Sequence, residues 1–149
     1  MAGVRCSAQT VQVTTGTSII TLLQLAAAAN HRVLVKEISV SFNGTSNTAT
    51  PILVQVKRQT TAGTMSALTP VKDNPADNAE TLQTTAQYNA TVEPSAGDIL
   101  FTEQVHPQGG YTWQAPFGGD IVIPGGGRLG IAVTAGASVS AVARIVYEE

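Results

Sequence analysis

The chain has 149 residues, of which 12% are charged, with a net charge of −2 and a single cysteine. This length suits one ordinary domain that buries roughly two-thirds of the surface its unfolded chain exposes, and one cysteine excludes an internal disulfide framework. The eight basic residues are spread singly except for Lys57-Arg58, which leaves no electrostatic footprint for a phosphate backbone, so nucleic acid is not an expected partner.

From the N-terminus, Val4 to Ala8 alternates like a strand and makes Cys6 a buried thiol of a reducing compartment. A nucleophilic cysteine would need a base beside it. Residues 1–30 carry one basic residue, Arg5, ahead of the apolar stretch Ile19 to Ala29, which is interrupted by Thr21 and Gln24 and is too short to span a bilayer. We expect neither a signal peptide nor a membrane anchor, and read residues 1–30 as either an N-terminal arm or the first strands. Within them Ile19, Leu22, Leu23 and Ala26 fit helical spacing with Thr17 or Ser18 as N-cap, whereas a strand and turn would set Leu23 and Leu25 beside the strand that follows. We adopt the strand.

From Arg32 to Phe42 one parity carries Leu34, Ile38, Val40 and Phe42, and the other Glu37, Ser39 and Ser41, with Lys36 the misfit on the apolar side. A turn-rich run from Asn43 to Asn47 ends this strand. Ile52, Val54 and Val56 then line one face against Gln55 and Lys57, which predicts an antiparallel partner joined by a loop. Asn43-Gly44-Thr45 and Asn89-Ala90-Thr91 match the glycosylation sequon, but without an export signal they read as turn chemistry.

Residues 60–97 are rich in Thr, Ala, Asn, Asp and Pro, with scattered Met65, Leu68, Val71, Leu82, Tyr88 and Val92. They predict a long excursion holding one or two short strands, and long excursions are places to look for partner contacts. Beyond Gly97, strands return at Ile99 to Val105, Tyr111 to Gln114, Asp120 to Ile123, Leu129 to Val133 and Val139 to Tyr147, with Pro107, Pro116, Pro124 and the glycines at 109, 110, 118, 119 and 125 to 127 marking the turns. The expected fold class is all-β: a single-domain antiparallel β-sandwich over residues 1–149.

Candidate chemistry is sparse. Gly125-Gly126-Gly127-Arg128-Leu129-Gly130 matches G-x-G-x-x-G, but Pro124 precedes it and a strand rather than a helix follows, so it predicts a tight β-turn and no dinucleotide. His31, His106 and Cys6 come from three segments without local zinc spacing, and no G-x-S-x-G elbow marks a nucleophile. Asp73, Asp77 and Glu80 are hard oxygen ligands of the type calcium prefers, but lack the spacing and glycine of an EF-hand loop. A solvated loop is the reading adopted. No catalytic, cofactor-binding or metal residues are therefore assigned, and the expected protein is not an enzyme. Tyr111, Trp113 and Phe117 are three of only seven aromatics. With Met65 and Leu68 they are the candidate interface residues; core packing or a subunit interface is the first reading for the aromatics, and a flat platform for sugar rings the second.

Five stretches carry a family resemblance: RVLVKEISVSFNGTS from Arg32, QTTAGTMS from Gln59, TPVKDNPAD from Thr69, VHPQGGY from Val105 and PGGGRLGI from Pro124. In these the chain resembles a family of small phage-encoded β-sandwich proteins of the virion, from about residue 32 to the C-terminus. The resemblance implies a jelly-roll-like module of the head decoration, or capsid cement, type. It would bind the outer surface of the head through the major capsid protein, typically as a homotrimer, in a virion assembled in the host bacterial cytoplasm. The motifs are structural and carry no catalytic content. The alternative on the same fold is a carbohydrate- or receptor-binding module of a head or tail fibre, using Trp113 and Tyr111.

Overall fold

A computed structural model of the chain describes residues 3–45, 50–76 and 80–149. These form thirteen strands: β1 (Arg5–Gln9), β2 (Val13–Thr14), β3 (Ile20–Ala26), β4 (Val33–Phe42), β5 (Ile52–Gln59), β6 (Thr64–Leu68), β7 (Val71–Lys72), β8 (Thr85–Val92), β9 (Ala96–Val105), β10 (Gly110–Gln114), β11 (Ile121–Ile123), β12 (Arg128–Thr134) and β13 (Ser140–Glu148). One sheet runs β10-β4-β13-β1-β7, with β11 also on β4 and β2 on β13; the other runs β6-β8-β3-β12-β5-β9. Every pairing is antiparallel.

Eight of these strands make a jelly roll. Setting aside β2, β6, β7, β8 and β11 leaves β10-β4-β13-β1 facing β3-β12-β5-β9, with the chain passing from one sheet to the other at most steps. The expected sandwich is thus the observed one, and the excursion lies between β5 and β9. It is more ordered than predicted. It contributes three strands, of which β8 and β6 extend one sheet beyond β3 while β7 pairs with β1 in the other.

Two local pairings differ from expectation. β5 pairs with β12 and β9 rather than β4, and β3 pairs with β12 and β8 rather than β4. Alternation shows that a strand has one buried face, but β4 and β5 meet the same core from opposite sides. The two strands belong to different sheets and form no hairpin.

The core is filled from both layers: Leu23, Leu25, Val54, Val56, Leu129 and Ile131 from one, and Cys6, Val35, Ile38, Val40, Ile145 and Tyr147 from the other, all at most 2% exposed. Removal of such side chains from water contributes about 1.5–3 kcal/mol each. The misfit at Lys36 has a structural cause. Glu37 pairs with Val146 and Val35 with Tyr147, so Lys36 is an extra residue in β4 and the inward parity switches across it. Val33 and Val35 face the core before the bulge, in place of the expected Leu34, and Ile38, Val40 and Phe42 face it afterwards. Freed from the ladder's alternation, the Lys36 ammonium reaches Asp120 at 2.6 Å and Glu148 at 3.5 Å.

β3 is a strand, and its ambiguous pattern follows from burial on both faces. Leu23 and Leu25 enter the core, while Thr21 and Gln24 on the opposite face are 0% and 2% exposed. That outer face lies under the connections entering and leaving the excursion. Gln24 Nε2 donates to Gln59 Oε1 at 2.6 Å and to the Thr61 carbonyl at 3.1 Å, and Gln59 Nε2 donates to Thr21 Oγ1 at 3.0 Å. Thr21 in turn donates its backbone N–H and hydroxyl to the Glu93 carboxylate at 2.8 and 2.6 Å. Gln24 and Gln59 lie on β3 and β5 with β12 between them, and they meet only because Gly130 opposite has no side chain: a methyl there would overlap the Gln59 amide.

Gly130→Ala should therefore break the glutamine pair and leave buried amide groups without partners, lowering stability by about 1–3 kcal/mol. Urea denaturation of the two proteins measures the difference.

Candidate interaction surface

The five candidate interface residues fall in three separate places. Tyr111 and Trp113 lie on β10, at the edge of one sheet, and both are partly buried against the core. Phe101 of β9, the edge of the facing sheet, sits between the layers: its ring centroid is 5.9 Å from that of Trp113, stacked, and 6.3 Å from that of Tyr111, tilted. The Tyr111 hydroxyl also interacts with Glu103 of β9, and burial, followed by that carboxylate, raises its pKa. The three rings thus close the side of the sandwich where β9 and β10 run next to each other without pairing. Both rings pack against the core from this edge, and Phe101 lies stacked against Trp113.

Phe117 does not join them. It is fully exposed, at the tip of a turn in which the Gly119 N–H donates to the Pro116 carbonyl at 2.7 Å and Gly118 has φ of 75°. A positive φ at this third position defines a type II turn, which only glycine or asparagine fills comfortably. Met65 and Leu68 lie elsewhere again, half-buried on β6 at the far edge of the second sheet, with Leu68 packed against the core. Other large apolar side chains left in solvent are Val11, Ile19, Val71, Val92, Ile99, Leu100 and Val122.

The remaining sequence candidates are placed as follows. Pro124 to Gly127 forms the predicted tight turn, closed by a 2.8 Å bond from the Gly127 N–H to the Pro124 carbonyl, and it leads directly into β12. His31 precedes the start of β4, whereas His106 lies in the β9–β10 turn beside the end of β4, and Cys6 is in the core, so the three are held apart. Asp73 pairs with Arg5 at 2.9 Å, the Glu80 carbonyl accepts from the Lys72 ammonium, and Asp77 lies outside the described residues. Among the described residues, no three His, Cys, Asp or Glu side chains gather as a metal site requires. The described residues include no helix long and apolar enough to cross a membrane.

Cys6 and Tyr147 are opposite one another across β1 and β13, both 0% exposed. Burial, reinforced by Glu149 and Asp73, pushes the Cys6 thiol up to about 11, and burial likewise raises the Tyr147 phenol. A thiol so disposed is protonated and inert at neutral pH.

One feature was not legible in the sequence. A cavity of about 370 Å³ opens at the end of the sandwich where β4, β9 and β12 finish and β5 and β13 begin, walled by Thr50, Ile52, Pro107, Ala135, Ala137 and Val139. Its wall carries no charged side chain. Residues from four separate chain segments, around 44–45, 50–52, 107 and 135–139, make it, and no local motif announces such a convergence.

Set against family models, curated proteins and solved structures, the chain finds no match.

Two outcomes follow. Trp113→Ala removes a half-buried ring stacked on Phe101 and should cost about 2–4 kcal/mol of stability, read from the shift in a denaturation midpoint. In the native protein at pH 8, Cys6 should react with a disulfide reagent at least ~100-fold more slowly than in the urea-unfolded chain, since a free thiol of pKa ~8.5 is partly ionised there and this one is not.

Proposed function

We propose that this chain is a non-enzymatic structural protein of a phage virion, a decoration or cement protein that binds the outer surface of the head as an oligomer. The observation that carries the reading is the surface itself. A rigid jelly roll presents isolated large apolar side chains, Phe117, Val71, Ile99 and Leu100 among them, around its edges on a skin with few charges. Exposed apolar side chains beside neutral hydroxyl and amide groups suit contact between proteins, because little charge must be stripped of water when such faces meet. The jelly roll is shared by viral capsid and lectin domains alike, so the fold alone does not choose between them. What favours adhesion between proteins over sugar binding is that Tyr111 and Trp113, the rings a sugar would need, already close the side of the sandwich.

A cement protein bridges neighbouring capsid subunits and resists their separation. The exposed sheet edges and the strands of the excursion supply area for this, and the apolar interior supplies stiffness. Its partners in this reading are the major capsid protein and further copies of itself.

Purified protein mixed with mature, expanded phage heads should co-sediment with them at a fixed stoichiometry and raise the temperature at which the heads release DNA. A chain that stays monomeric and fails to bind heads of any expansion state would overturn the reading.

A further inference from the structure

Just past the end of β4, Asn43 and Gly44 meet the start of β13 and the β9–β10 turn. We propose that Asn43 is a self-modification site: its side chain closes on the Gly44 nitrogen to a succinimide that water opens to isoaspartate, and the folded corner holds this reaction off until it opens. The reaction involves only this chain and water, so it stands apart from capsid binding.

The corner calls for both residues. Asn43 carries the pairing of β4 with β13 one residue further, its N–H donating to the Ser140 carbonyl at 3.1 Å while its Oδ1 accepts from the Ser140 N–H at 3.1 Å. Gly44 is pressed against the turn, where an added Cβ would lie 2.6 Å from the Pro107 carbonyl oxygen and 2.7 Å from the Pro107 Cβ. Only glycine permits so close an approach. A side chain that accepts a hydrogen bond, followed by glycine, is thus what this corner demands. Asparagine before glycine is also the least hindered pair for ring closure, because the second residue has no side chain to block the attack, and the sequence contains this dipeptide once.

In the reaction the Gly44 backbone nitrogen gives up its proton and attacks Asn43 Cγ; a C–N bond forms, the Cγ–Nδ2 bond breaks and ammonia leaves. Water then adds to either carbonyl of the imide, so that amide plus water becomes acid plus ammonia, with the main chain running through the original route or, in isoaspartate, through the former side chain. The fold opposes the first step twice. The Gly44 N–H is held by the Pro107 carbonyl at 2.7 Å, which screens its proton from hydroxide, and the Asn43 side chain is held on Ser140 of another strand instead of turning back on its own chain. Both bonds must open together before nitrogen meets Cγ. Isoaspartate lengthens the main chain by one carbon, which carries Gly44 out of register with Pro107, so the corner does not close again.

The test ages the purified full chain at mildly alkaline pH, folded and in urea, and follows the Asn43 peptide by mass spectrometry as amide nitrogen is exchanged for oxygen. The expected result is steady conversion in urea and conversion at least ~20-fold slower in the folded protein. Asn43→Asp separates the charge from the altered main chain, since a carboxylate still accepts from the Ser140 N–H. This variant should melt with the wild type, whereas the isoaspartate form, isolated from the aged and refolded sample, should melt lower and exchange its Gly44 amide with deuterium faster. No conversion in urea, equal rates in the two states, or an isoaspartate form as stable and as protected as Asn43→Asp would each overturn the proposal.

Discussion

Everything in this fold depends on one apolar interlayer, in which the Leu23, Leu25, Leu129 and Ile131 face of one sheet lies against the Ile38, Val40, Ile145 and Tyr147 face of the other. Neither sheet has another way to hide these side chains, and the chain crosses between sheets at most steps, so no strand can leave without opening the layer. The low charge of the chain follows the same logic. With so little ionic surface, specificity comes from shape and from hydrogen bonds made where backbone segments cross, as at Gln24, Gln59 and Thr21.

How much of this was legible in the sequence can be read strand by strand. β5 and β13 alternate over most of their length because one face is in the core, and the glycine- and proline-rich breaks in the chain are where it turns. The class of fold follows from those patterns. Partner choice does not, because periodicity reports that a face is buried and is silent on which layer buries it; hence the expected pairing of β4 with β5, which lie in different sheets. β3 hid its identity for the opposite reason: a strand covered on both sides loses its period of two, and only Gln24 within an apolar run hinted at a buried polar contact. The candidate surface was legible by residue type alone. Tyr111, Trp113 and Phe117 are close in sequence, yet two of them close the sandwich and the third stands in solvent.

Lys36 shows how a local fault is put to use. One additional residue in β4 reverses which side chains face inward, and the same fault turns a lysine towards Asp120 and so anchors the loop that bears Phe117. The hydrogen bond to Asp120 raises the pKa of Lys36, so the ammonium keeps its charge across the neutral range and loses it only as strongly alkaline pH removes the proton.

β13, which follows all its sheet partners in the chain, sits in the middle of its sheet with β4 on one flank and β1 on the other. Until it arrives, the two flanking strands have no neighbour to bind them together, and the apolar sides of both lie open. Synthesis must therefore run past β13 before this half of the molecule can assemble, and the strands it joins are far apart in sequence, which places it among slow folders. A nascent copy spends that interval with adhesive edges uncovered, so crowding on polysomes is the stage at which misassembly threatens it most.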